Sequence, residues 1–282
     1  MTPVVAIIAP GAMGAAVGKR LVENGASVLT SLDGRSDETR ARAKAAEMSA
    51  ANDDDIARAD FILSILPPGD ALSLAQRFVP ALTASNAKPV YVDCNAINPK
   101  TVDRVAAAIA PTGSPFVDAG IIGQPPKPGD AGPRIYASGA AAPRVATLRD
   151  YGLDIRVLDG AMSAASALKM SYAGITKGTQ AIGAAMMLAA TRAGSADALM
   201  AELQLSQREV LAWLKRQLTM MPPKAYRWVA EMQEIAGFVG DDPAARDLYE
   251  GAAEFYERFA EDFAAGGNEA KALVGFLGKA SS

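Results

Sequence analysis

The first residues able to do chemistry stand at the start of the chain. A β-type run, Val4–Ile8, ends in Ala9-Pro10-Gly11-Ala12-Met13-Gly14, and a helical pattern follows. A diphosphate site asks for this order: a tight turn, a backbone that can approach an anion closely, and a helix N-terminus facing the phosphates. The spacing is G-x-G-x-x-G with alanine in the first place. Gly11 then serves the close approach and Gly14 the close packing of helix on strand, with Ala12 and Met13 between them in the cradle. Ala9 must make the turn with a methyl group. An ordinary βα turn is the plain alternative. The strand before, the helix after and the second strand beyond at Ser27–Ser31 favour dinucleotide binding.

That second strand ends in Thr30-Ser31-Leu32-Asp33-Gly34-Arg35-Ser36. An acid here suits a free ribose 2′-hydroxyl, and an arginine suits a 2′-phosphate. Leu32 holds the usual place of the acid, and Asp33 comes one residue late. Arg35 and Ser36 flank Gly34 at a helix start, where a phosphate is well accommodated. Ser31, Arg35 and Ser36 are therefore the candidate contacts, and NADP is preferred over NAD, which stays the alternative. The plain reading of Arg35 is a solvated surface charge.

Composition narrows the chemistry further. The 282 residues include no histidine and one cysteine, Cys94. Ser-His-Asp hydrolysis, histidine acid–base catalysis, HExxH metalloenzymes and a structural zinc site are excluded. No metal site is expected, and proton transfer falls to Lys, Asp, Glu, Tyr or water. A lone cysteine rules out an intrachain disulfide and fits a reducing compartment. The first 18 residues carry no charge, but they lack a basic lead and are broken by Pro10, Gly11 and Gly14, so a cytoplasmic protein is expected. A net charge of −3 offers no footprint for nucleic acid. The uncharged run Gly178–Thr191 is too short to span a bilayer.

The elements that must hold these residues form two groups. Strand patterns at Val4–Ile8, Ser27–Ser31, Asp60–Ile65, Pro89–Asp93, Phe116–Asp118 and Arg134–Ser138 alternate with helical patterns at Met13–Asn24, Ser36–Glu47, Asp70–Leu82, Pro99–Ala110 and Ala142–Tyr151. This predicts a Rossmann-type doubly wound α/β domain over residues 1–160, its parallel sheet covered on both faces. Residues 161–282 read as an all-α domain opening with one long helix, Ala161 to about Thr191. Gly174, Gly178 and Gly183 weaken that helix. Its apolar residues run nearly all the way round, so it requires cover on most sides. A homodimer through the helical domain follows. In the segment Pro222–Ala236, Tyr226 and Trp228 read as core, and Glu231 and Glu234 as a solvated face.

Several segments, in order, resemble the β-hydroxyacid dehydrogenase and 6-phosphogluconate dehydrogenase superfamily over residues 4 to about 180. Ala9–Gly14 is similar to its G-x-G-x-M-G, and Ser64-Ile65-Leu66-Pro67 to its S-x-L-P. Asp93–Pro99 is similar to D-x-S-T-x-x-P, and Asp118–Gly123 to D-A-P-V-S-G-G. Gly160–Lys169 is similar to the glycine-rich helix start that ends in the family's catalytic lysine. The C-terminal part resembles a subgroup of phosphogluconate-dehydrogenase-like proteins of unsettled substrate.

The resemblance implies an NAD(P)-dependent dehydrogenase or reductase acting on a small molecule, and a dimer. It assigns Lys169 as the acid–base residue, Leu66 and Pro67 to the cofactor, Asn95 to cofactor or substrate, and Gly123 and Lys169 to substrate. The residues support Lys169 independently: a lysine on the most apolar helix of the chain costs free energy unless paired, functional or snorkelling to water. Departures from the family pattern bear on substrate. Its asparagine four places after the lysine is Ala173, with Tyr172 one place earlier as a second candidate catalytic residue. Its serine is Ile122, and its S-T pair is Asn95-Ala96. Three readings follow: a hydroxy-acid or ketone oxidoreductase, an imine reductase on the same scaffold, and a dinucleotide-binding sensor or assembly protein without turnover. Short-chain dehydrogenases fit poorly, because no tyrosine is followed by lysine four residues on.

Overall fold

A computed structural model describes residues 2–278. Two compact units divide the chain, Met1–Met170 and Ser171–Ser282. In the first, the strands are β1 (Val4–Ile8), β2 (Ser27–Thr30), β3 (Ser49–Ala50), β4 (Phe61–Ser64), β5 (Val90–Asp93), β6 (Phe116–Ile122), β7 (Arg134–Ser138) and β8 (Asp154–Val157). They form one sheet in the order β3-β2-β1-β4-β5-β6-β7-β8. Its helices are α1 (Ala12–Glu23), α2 (Asp37–Ala45), α3 (Asp53–Ile56), α4 (Ala71–Ala84), α5 (Pro99–Ile109) and α6 (Ala142–Val145).

The strand order reverses between β1 and β4, both parallel neighbours. Ligands of doubly wound sheets bind at the carboxyl ends of such a switch point, and the glycine turn leaves β1 there. Two apolar layers cover the sheet. On one face Val17 and Leu21 of α1 and Ala43 of α2 pack against Val5, Ile7 and Val28. On the other, Leu74 and Phe78 of α4 and Val102 and Val105 of α5 cover Ile8, Ile62 and Tyr91. Phe61–Ser64 is buried along its whole length, as a doubly covered strand should be.

The sheet departs from the all-parallel expectation at one pair: β7 runs antiparallel to β6. The connecting segment, 123–133, holds four prolines and no helix, so it cannot make the crossover a parallel pair needs. Strand β6 also runs four residues past the predicted Asp118. The short strands β3 and β8 and the one-turn α3 have no counterpart in the sequence pattern.

The long helix α7 (Ala164–Arg192) begins in the first unit and continues into the second. The second unit adds α8 (Ala196–Ser206), α9 (Arg208–Thr219), α10 (Ala225–Phe238), α11 (Pro243–Ala264) and α12 (Asn268–Gly278). Close approach explains the glycines of α7. A Cβ at Gly174 would lie 2.9 Å from the Tyr249 hydroxyl, and one at Gly183 would lie 2.8 Å from Leu214. Glu231, expected on a solvated face, is buried and ion-paired with Lys177, whose ammonium sits 5.1 Å from the Trp228 ring centroid. Tyr226, expected in the core, is exposed. No helix among the described residues is long and apolar enough to cross a membrane.

Candidate functional site

The glycine turn meets the demands a dinucleotide makes of it. Ala9 makes the turn with its methyl buried; its N–H donates to Ile65 O at 3.2 Å and its carbonyl accepts from Gly11 N at 2.8 Å. A Cβ on Gly14 would fall 2.1 Å from the Ala9 carbonyl oxygen, so α1 packs here only because residue 14 is glycine. A Cβ on Gly11 would meet nothing within 4 Å, which leaves open space in front of the turn. No side chain caps α1, and its first turn holds no acid, so the amides of its N-terminus face that space. Ala12 is exposed and Met13 is half-buried.

At the end of β2, Gly34 has a φ of +66° and Arg35 N closes a turn on Leu32 O at 3.2 Å. Ser36 caps α2, its oxygen accepting from Thr39 N at 3.3 Å. Arg35 is half-buried. Ser31 is only 1% exposed, and its hydroxyl accepts from Arg77 Nη2 at 2.8 Å. Two residues without a sequence signal join the site here. Arg42 donates from Nε to Pro10 O at 3.3 Å, which ties α2 to the glycine turn. Arg77 reaches β2 from α4.

Asn95 is committed within the protein. Its Oδ1 accepts from Leu66 N at 2.5 Å, and its Nδ2 donates to Ser64 Oγ at 2.7 Å and to Asp93 Oδ2 at 3.1 Å. The side chain therefore fixes the start of the segment formed by half-buried Leu66 and exposed Pro67 to the end of β5. Burial pushes the Asp93 carboxyl up to about 7, against the opposing pull of its Asn95 hydrogen bonds.

Lys169 is seated by β6. Asp118 Oδ2 accepts from Ser166 N at 2.7 Å and its Oδ1 accepts from Ser166 Oγ at 2.6 Å, capping the first turn of α7. Ser138 Oγ accepts from Ala165 N at 2.9 Å. Two residues along β6, a Cβ on Gly120 would lie 3.0 Å from Lys169 Cβ and 2.9 Å from Ala165 O. The bare backbone at Gly120 is what brings the Lys169 turn down on the strand. Burial raises the Asp118 carboxyl to about 6, countered by the Ser166 hydrogen bonds. Lys169 itself is half-buried rather than enclosed. Gly123 is exposed at the end of β6, with a φ of +137° and Pro133 packed where a side chain would go. Tyr172 belongs to the second unit and is 46% exposed.

Strands β1, β4 and β5 thus carry their functional residues at or just past their carboxyl ends, whereas β6 seats Lys169 from within the strand, at Asp118 and Gly120. The sequence motifs name the Gly11–Gly14, Leu66-Pro67, Asn95 and Lys169 segments. They do not name Gly120 as the seat of Lys169, although it lies inside the Asp118–Gly123 segment.

Comparison with known proteins identifies the family and the fold. Residues 4–149 match the NAD binding domain of 6-phosphogluconate dehydrogenase, and the chain belongs to that family. Residues 190–259 match DUF1932, a domain of unknown function. The class so defined is a nicotinamide-dependent dehydrogenase or reductase. Among solved structures, the conserved protein MTH1747, of unknown function and described as similar to 3-hydroxyacid dehydrogenases, is 28% identical. It covers 94% of this chain and 99% of its own, with a TM-score of 0.69. The 3-hydroxyisobutyrate dehydrogenase of Mycobacterium tuberculosis, solved with L-serine, is 20% identical over 98% of this chain and 99% of its own, at a TM-score of 0.69. An imine reductase variant from Myxococcus stipitatus, solved with NAD+, is 20% identical over 98% of this chain and all of its own, at 0.59. The last two show a shared fold.

Proposed function

We propose that the protein is an NADP-preferring oxidoreductase of hydroxy-acid-like or ketone substrates, with Lys169 as general acid and base. The observation that carries this reading is the seat of Lys169 on Gly120 and the Asp118 cap. Arg35 and Ser36 support the preference for a 2′-phosphate. When bound, the nicotinamide supplies or accepts the hydride. Gly11–Gly14 would hold the dinucleotide's diphosphate, Leu66 and Pro67 would border its nicotinamide, and Asn95 fixes that border. Lys169 gives a proton to the substrate oxygen in reduction and removes one in oxidation; a positioned group of this kind contributes about 10²–10⁴ in rate.

One observation favours imine reduction as a second reading. Ile122 is apolar where the family has serine, and the Asn95 amide is already engaged, so few polar groups remain for a substrate carboxylate. The fold of the Myxococcus imine reductase is compatible with it. The lone buried Cys94 suits a reducing cytoplasm. A homodimer through the helical unit would cover the apolar stripe Tyr172, Ile175, Ile182 and Met186, which is exposed in the single chain.

The test is a screen of 3-hydroxy acids with NADP+ and of ketones and cyclic imines with NADPH, following reduced-nicotinamide absorbance. With the best substrate, Lys169→Met should lower kcat by about 10²–10⁴ while leaving NADPH affinity within about twofold. A variant keeping more than about a tenth of parental kcat would contradict the acid–base role. NADPH binding without turnover of any substrate would favour a sensor.

A further inference from the structure

Arginines flank the carboxyl end of β2 from both layers of the sheet. Arg35 belongs to the loop leading into α2, on the α1 side. Arg77 comes from α4 in the opposite layer. Its Nε donates to Asp53 Oδ2 at 2.8 Å, and its Nη2 donates to Asp53 Oδ1 at 2.7 Å and to Ser31 Oγ at 2.8 Å. Three hydrogen bonds hold the guanidinium in place, and its carbon sits over the buried Phe78 ring, 5.6 Å from the centroid. The side chain nevertheless stays 34% exposed.

These bonds engage Nε and Nη2, so the guanidinium can still offer Nη1 and its flat face. Such faces stack on π systems. Asp53 offsets its charge and would repel a phosphate dianion, so a flat aromatic ring is the better ligand. Ser31, beneath it, is too buried to serve as that surface. In doubly wound sheets the end of the second strand borders the adenosine ribose of a dinucleotide.

We propose that Arg77 is the adenine platform of the cofactor site, with Asp53 and Ser31 as the residues that hold its plane in place. The inference rests on the dinucleotide reading of the glycine turn. It divides the work at β2: Arg77 binds the base in either cofactor, and Arg35 discriminates the 2′-phosphate.

Calorimetric titration of the full chain with 5′-AMP, 2′,5′-ADP, NADH and NADPH tests this without any substrate. Arg77→Met should weaken all four ligands alike, by about tenfold. Arg77→Lys retains a cation for Asp53 but lacks the plane, so it should weaken them nearly as much, and it carries the test if the methionine variant melts early. Arg35→Ser should weaken only the two ligands bearing a 2′-phosphate. Unchanged affinities in both Arg77 variants would overturn the proposal. So would a loss confined to 2′,5′-ADP and NADPH, which would make Arg77 a phosphate contact. A parent protein that bound none of the four would overturn the cofactor reading itself, a failure visible before any variant is made.

Discussion

Glycine 14 has no room for a side chain, because a Cβ there would press on the Ala9 carbonyl oxygen at 2.1 Å. Gly14→Ala must push α1 away from β1, moving the amides that face the diphosphate. The expected result is a stability lowered by about 1–3 kcal/mol and NADPH affinity reduced at least about tenfold. Calorimetry and a fluorescence titration would show both; an alanine variant of parental affinity would mean the turn does not bind the cofactor. At this scale the sequence was legible wherever function is written in local spacing. Gly11, Gly14 and Lys169 sit in runs whose order alone carries meaning. Asp118, Gly120 and Arg77 gain their roles from contacts across the chain. Asp118 meets Ser166 at a separation of 48 residues, and Arg77 meets Ser31 at 46. No periodicity reports such a pairing. Asn95 illustrates the same limit: its place in a motif is visible, and its three internal hydrogen bonds are not.

Among the elements, β5 and β6 carry a pair with a consequence for stability. Asp93 and Asp118 are in register on adjacent parallel strands, both fully buried. Burial holds them at about 7 and about 6, above their ordinary 3.8. The folded chain therefore binds these protons more tightly than the unfolded chain. Their contribution to stability is complete below about pH 4 and is lost as pH rises through about 6 and 7. The exposed Asp130 and the half-buried Asp154 are shifted the other way, so their effect is confined to more acidic solution. The melting temperature should fall between about pH 5 and about pH 8, and a rise over that interval would contradict the burial of the pair. Element types were well marked in sequence, since long apolar strands and helical periods alternate. The antiparallel β7 was not, because strand direction depends on the length and helicity of the connection rather than on the strand.

For the whole molecule, the stripe on α7 bears on assembly. Tyr172, Ile175, Ile182 and Met186 recur at steps that keep one helical face, and all four are exposed in the single chain. A second copy covering this face predicts a dimer by light scattering, and Ile182→Glu should shift it to monomer at micromolar concentration. A parent chain that stays monomeric would contradict that assembly. At the glycine turn, we propose, this chain binds a nicotinamide dinucleotide and prefers the one bearing the 2′-phosphate. Titration of the parent protein with NADPH and then NADH, read by quenching of Trp213 and Trp228 and by nicotinamide emission, tests it most directly. Saturable binding of both, tighter for NADPH, is the predicted result. Binding of neither would contradict the account and with it the role given to Lys169.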